Sequence, residues 1–383
     1  MDVRQGTSAH PDADAAVAEA TTDWPAEPQL LIAFNSSTMD AGALSAALAR
    51  TFPGSPLVGC TTAGEHLGDR HLSESFAVAG VWDSTVRWQT CAIRGLADFG
   101  TDDATAEVDR MLAALGADRE TMEPNDYFAM LLIDGLSMQE ERVTGLLAEA
   151  LEGIPLAGGS AGDDLGFDTT YVLTEDGAFS DGAILVLAAT GSAQVEILKH
   201  QHYVNTSTAL CITKADPAQR VVMEIDGYPA LEAYAAALGL APEEVTDDVT
   251  FLNPITFSLN GEIYVRSIQS IRDDGALVLY CAIDEGMVLR IGSQRDMATE
   301  LRERMNRFDT ERGRADLIIG FNCILRSLEA DRIGQSADLS CILGERADAV
   351  IGFDTYGEQH NGLHINQTLV AIAIHDQRVG AAV

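Results

Sequence analysis

Ser160 lies in Gly158-Gly159-Ser160-Ala161-Gly162, which fits the G-x-S-x-G pattern of a nucleophile elbow, and His364 downstream would complete the chain order of a serine-hydrolase triad. That chemistry needs a strand before the serine and a helix after it. The sequence reads instead as a helix, QEERVTGLLAEALEG, ahead of Ser160 and an acidic loop, Asp163-Asp164-Leu165-Gly166, behind it. A hydroxyl that ties down a turn is therefore the expectation, and serine hydrolysis at Ser160 the minor alternative. His200 and His202 alternate along an expected strand and would share one face, as metal or haem ligands do, but two imidazoles without a third donor nearby fall short of a metal set. His360 and His364 stand four apart, yet Asn361-Gly362 between them predicts a turn, which prevents them from sharing a helix face. Arg326, in Asn322-Cys323-Ile324-Leu325-Arg326, falls where a strand is expected to give way to a helix. A guanidinium there suits a carboxylate, a haem propionate, or an ion pair with Glu358. Neither GxGxxG nor GxxxxGK occurs, so dinucleotide and P-loop chemistry have no motif.

The elements that must hold these residues recur three times. LLIAF at 30–34, FAMLLI at 128–133 and ADLIIGF at 315–321 read as strands, each followed by a helical pattern. The copies close on Gly59-x-x-Thr62-x-Gly64-Glu65, Ala157-x-x-Ser160-x-Gly162-Asp163 and Gly352-x-x-Thr355-x-Gly357-Glu358, a shared [GA]-x-x-[ST]-x-G-[DE]. A further apolar run follows each: FAVAGVW, AILVLAAT and LVAIAI. Strand, helix, glycine-bearing turn and strand again predict an α/β fold of mixed β-sheets with packed helices, built from repeated units. Ser160 aligns with Thr62 and Thr355, which also favours a structural hydroxyl. Ser137 with Glu140 predicts a capping box at the second helix. An insertion, roughly 196–314, separates the second and third copies; it carries a helix at 229–238, strand-like EIYVRSI and ALVLYCAI, and a charged helix near 295–308. Residues 1–27 read as a loose tail or one peripheral helix.

The chain has 383 residues and a formal charge of −35, which repels a phosphate backbone and excludes nucleic-acid binding. With 46% hydrophobic residues it has the composition of a folded chain. The six cysteines are scattered without a C-x-x-C pair, as buried thiols of a reducing compartment would be. A basic, apolar leader and long apolar runs are missing, so the expected location is the cytoplasm, with no membrane span.

GGSAGDDLGF with the later DGAILVL resembles the N-terminal half of FIST proteins, and EIDGYPALEAYAAALGL, YVRSI, CAIDEG, CILR, IGFDTYGE and HINQTLVAIAI are similar to their C-terminal half. The resemblance implies two related halves, a FIST N-terminal domain at 28–195 and a FIST C-terminal domain at 222–378, with the tail 1–27 and a connector at 196–221. It implies a non-enzymatic intracellular sensor of a small ligand such as an amino acid. The stand-alone bacterial branch of the family implies haem, nitric-oxide sensing, and a histidine kinase or cyclic-di-GMP enzyme as partner, with His200, His202 or His364 as axial ligand. The family pattern carries over as ligand-binding positions onto Cys323, Arg326, Tyr356, Gly357, Glu358, Asn366 and Thr368. Arg326 would take a ligand carboxylate, and Glu358 an ammonium.

Overall fold

The computed structural model describes residues 1–259 and 261–376. Its first unit runs β1 (Asp2–Ser8), α1 (Ala13–Ala20), β2 (Leu30–Ser36), α2 (Ala41–Thr51), β3 (Leu57–Thr62), the hairpin β4 (Glu65–Leu67) and β5 (Arg70–Leu72), and β6 (Phe76–Trp82). The second repeats that order: β7 (Arg87–Arg94), α3 (Thr101–Ala114), β8 (Tyr127–Ile133), α4 (Glu140–Ala150), β9 (Leu156–Ser160), β10 (Val172–Thr174), β11 (Gly177–Phe179) and β12 (Gly182–Ala189). The third begins with β13 (Gln194–His200), and an inserted sheet then intervenes. This consists of β14 (Tyr203–Asp216), β15 (Val221–Ile225), β16 (Tyr228–Pro229), α5 (Ala230–Leu238), α6 (Asp247–Leu252), β17 (Ile255–Leu259), β18 (Glu262–Arg266), β19 (Ile268–Ile271), β20 (Leu277–Leu279) and β21 (Val288–Gln294). The unit resumes with α7 (Met297–Arg312), β22 (Ala315–Cys323), α8 (Ile324–Ile333), α9 (Ser336–Gly344), β23 (Ala347–Thr355), β24 (Glu358–His360), β25 (Leu363–Ile365) and β26 (Leu369–His375).

The three units interlock by exchanging hairpins. Their sheets run β1-β6-β2-β3-β10-β11, β7-β12-β8-β9-β24-β25 and β13-β26-β22-β23-β4-β5. In each, two parallel strands carry an antiparallel strand on one side and the hairpin of another unit on the other. Unit two lends its hairpin to unit one, unit three to unit two, and unit one to unit three, so the exchange closes into a ring.

The parallel strands read as unbroken apolar runs because both their faces are buried. Leu30, Ile32 and Phe34 point to a central core shared with Phe128, Met130 and Leu132 and with Leu317, Ile319 and Phe321. The alternate residues Leu31 and Ala33 pack under α1 and α2, and Ala129, Leu131 and Ile133 under α3 and α4. In α2, Asp40 caps the start by accepting the Ala43 N–H at 2.9 Å, and the stripe Ala41, Leu44, Ala47, Leu48 is buried. Helices thus cover the outside and three sheets meet inside.

Three local expectations change. Residues 1–27 hold a strand and a helix, because β1 pairs with β6 over its whole length, from Asp2↔Trp82 to Ser8↔Phe76; its half-exposed edge position left it little hydrophobic signal. The Ser137–Glu140 capping box does not form. Met138 adopts φ 58°, α4 starts at Glu140 itself, and the Glu140 carboxylate turns to Arg220. The insertion is narrower than 196–314, since β13 and α7 match β1–α1 and β7–α3 and belong to the third unit. The expected end at 378 lies outside the described residues. No helix among them is long and apolar enough to cross a membrane.

Candidate functional site

The [GA]-x-x-[ST]-x-G-[DE] motif builds the same corner in the first and third units and a different one in the second. The Thr355 and Thr368 hydroxyls donate to Glu358, and the Thr62 and Ser75 hydroxyls to Glu65; the glycines before these acids take φ of 154° and 146°. Burial raises the Glu358 carboxyl to about 8 and that of Glu65 to about 7, although the hydroxyls pull the other way. Asp163 differs. It accepts the N–H groups of Phe167, Asp168 and Thr169 at 2.9, 2.6 and 3.1 Å, together with the Tyr356 hydroxyl. It thereby pins a loop in which Asp164, Leu165 and Phe167 all have positive φ.

That loop walls a cavity at the carboxyl ends of β8 and β22, where helix starts and loops of an α/β sheet leave a crevice. The insertion covers its other side with Arg220, Gln269 and Tyr280. The centres of water-sized molecules have about 130 Å³ of room, where one water needs roughly 10–15 Å³, so a small organic molecule fits. Its walls are apolar at Leu136, Leu279, Ile324 and Leu325, and Phe167 stacks on Tyr356 with centroids 4.9 Å apart. Met138, Leu165 and Phe167 form a partly exposed apolar rim.

Polar groups meet the apolar walls at two places. Arg220 donates to Glu140 at 2.7 Å across the insertion boundary, and behind the wall Arg266 donates to Glu141 at 3.1 Å. Asn366 is 1% exposed, and neither its Nδ2 nor its Oδ1 has a protein partner. Burial drives the His364 imidazole well below its ordinary pKa and the Cys323 thiol well above its own, so both are neutral.

Residues 29–228 match the FIST N domain and residues 230–361 the FIST C domain. The chain belongs to the FIST family. FIST domains are sensory signalling domains and generally non-catalytic. Comparison with curated proteins yields no match.

The family-derived positions separate into three groups in this FIST protein. Cys323, Tyr356 and Asn366 line the cavity, as does His364. Gly357 is the bend behind it, and Glu358 and Thr368 bond one another within the wall. Arg326 faces away, toward a narrower space bordered by His66, His71 and Asn322. Its Nε donates to Asn322 Oδ1 at 3.0 Å, its Nη1 and Nη2 have no protein partner, and burial pulls its pKa down to about 10. Arg326 and Glu358 share no hydrogen bond or ion pair among the described residues, so the ion pair weighed between them is not formed.

Ser160 ends a strand, not a helix, and the loop after it carries no helix. Its buried hydroxyl accepts from Gln359 Nε2 at 2.8 Å, and that amide, not the serine, meets His364 Nδ1 at 3.2 Å. A serine with no base in reach is structural. The three histidines that the resemblance marks as axial ligands lie in three different surroundings. His202 Nε2 is held by Glu329 at 2.7 Å, His200 borders a polar groove with Lys199, Glu262 and Arg304, and the cavity beside His364 is sized for a small molecule. Of the cysteines, Cys60, Cys91, Cys281 and Cys323 are buried, Cys211 is partly so and Cys341 is exposed.

Arg220, Gln269 and Tyr280 escaped the sequence reading because they come from an insertion without a repeat to align it. The Asp226-Gly227 turn and the YVRSI strand marked its elements, but not the face that meets the ring.

Proposed function

We propose that this FIST protein senses a small zwitterion, an amino acid, bound in the cavity between the second unit, the third unit and the inserted sheet. The observation that carries this is Asn366, a buried amide on the cavity wall with both its donor and its acceptor unmet by protein, because buried polar groups are otherwise paired. A ligand carboxylate or ammonium meets that amide, the Arg220–Glu140 pair offers one charge of each sign, and the apolar walls receive the side chain. Binding there bridges the ring and the insertion, so occupancy would bias how firmly the two hold together and pass the signal to a partner; the family resemblance suggests a histidine kinase or a cyclic-di-GMP enzyme.

A thermal-shift screen with the twenty amino acids tests it. At a hundredfold excess over Kd a cognate ligand adds about 2.7 kcal/mol of stability. Asn366→Ala is expected to fold and to lose that shift. Failure of every amino acid to raise the wild-type melting temperature would overturn the reading.

A further inference from the structure

The hairpin that unit one lends to unit three carries a donor set that the function above does not use. His66 and His71 are cross-strand partners on β4 and β5, and their rings stack at 4.6 Å and 15°. Both turn Nε2 to the same carboxylate: His66 meets Asp354 Oδ1 at 2.8 Å, and His71 meets Asp354 Oδ2 at 2.7 Å. One donor atom from each of the three residues falls within 4.8 Å of the others.

We propose that His66, His71 and Asp354 form a binding site for a divalent transition-metal ion of the zinc class, which staples the first unit to the third where the ring closes. Two imidazoles and one carboxylate on one side of an ion, with the remaining positions open, make a recurrent set for zinc and its first-row neighbours. Zinc bonds of about 2.0–2.2 Å place tetrahedral ligand atoms roughly 3.3 Å apart, so the two contacts to Asp354 need to widen by only about half an ångström.

Three features of the surroundings suit an ion. Asp354 is fully buried and its Oδ1 is also held by Asn322 Nδ2 at 2.8 Å and Ser327 Oγ at 2.6 Å, the kind of outer support that orients a ligating carboxylate. Gly64 leaves room beside the donors, because a Cβ there would stand 2.8 Å from Asp354 Oδ2 and 2.9 Å from His71 Nε2. The imidazoles are 14% and 25% exposed, which gives an ion a way in.

The repeat supplies an internal comparison. The matching cross-strand pair on the third unit's hairpin is Gln359 and His364, set against Ser160, which lacks the donors to hold an ion. The fold therefore builds this corner without the triad, and the triad marks one of the three junctions.

The test is zinc titration of the full chain by calorimetry in excess magnesium, which occupies the acidic surface, followed by cobalt substitution. The expected results are one saturable zinc equivalent, a cobalt d–d band, and affinity lowered by more than about tenfold in His66→Ala and again in His71→Ala, since even outer-shell changes cost 10–100-fold. Both histidines are partly exposed, and circular dichroism of the apo variants verifies folding. Absence of saturable zinc binding in the wild type, or equal affinity in folded His66→Ala and His71→Ala, would overturn the proposal.

Discussion

Glu65 and Glu358 occupy one position in two copies of the same hairpin: each is held by a threonine hydroxyl three residues before it and by a hydroxyl ten residues after it. The third acid of the motif, Asp163, has left that role and organises the cavity loop. A ring of near-equivalent units has thus kept two corners for architecture and changed the one beside the cavity.

Glu358 should make stability fall as the solution turns alkaline. An unfolded glutamate titrates near 4.3 and this one at about 8, so between those values the native state holds the extra proton. Stability is then greatest at the acidic end of the window and declines as pH rises through it, by up to roughly 1.4 kcal/mol per unit. Glu358→Gln keeps the shape and cannot ionise. Urea midpoints from about pH 5 to pH 9 should flatten in the variant; an unchanged slope would show that other groups set it.

The Arg220–Glu140 pair, with side chains 9% and 2% exposed, ties the insertion to α4. Arg220→Met strands the buried Glu140 and should cost about 3–5 kcal/mol, whereas Glu140→Leu should cost less, because Arg220 keeps Glu141 at 3.3 Å and the Tyr280 carbonyl at 2.6 Å. The double variant should recover most of that loss. Chemical denaturation of all four proteins checks it, and additive losses would mean that the two residues do not act as a pair.

Ser160→Ala should cost about 0.5–1.5 kcal/mol, the net worth of the bond from Gln359. Wild type and variant should leave a chromogenic ester alike. Cleavage by the wild type that disappears in the variant would restore the nucleophile.

The threefold repeat was legible because LLIAF, FAMLLI and ADLIIGF are each buried on both faces and each lead to the same glycine-and-acid turn. The hairpin exchange was not, since Glu65-His66-Leu67 pairs with β23 some 285 residues away, and nothing in local patterning records a partner at that distance. Cys323, Tyr356 and Asn366 came from the family resemblance and do reach one cavity, whereas Arg326 borders a different space, beside His66, His71 and Asn322. His66 and His71 carried a signal that went unread: a histidine on either side of Gly68-Asp69, a two-residue turn that makes them face one another.

Asp163 should control access to the cavity. Its carboxylate gathers three N–H groups and the Tyr356 hydroxyl, and these bonds hold Asp164, Leu165 and Phe167 in left-handed conformations that side-chain-bearing residues otherwise avoid. Asp163→Ala therefore leaves buried donors unmet and releases the strained loop, at an expected cost of roughly 2–4 kcal/mol. Tyr356→Phe removes the hydroxyl that donates to the same carboxylate and accepts the Leu165 N–H at 2.9 Å, and should cost about 1–3 kcal/mol. The two variants should also differ in dynamics: hydrogen exchange should accelerate strongly across 167–169 in Asp163→Ala, and chiefly at Leu165 in Tyr356→Phe. If that loop forms the ligand's wall, the melting-temperature gain from a cognate amino acid should shrink in Asp163→Ala beyond what its lower starting stability explains. Unchanged exchange at 167–169 in Asp163→Ala would show that the loop is held by the packing of Phe167 on Tyr356, and not by the carboxylate.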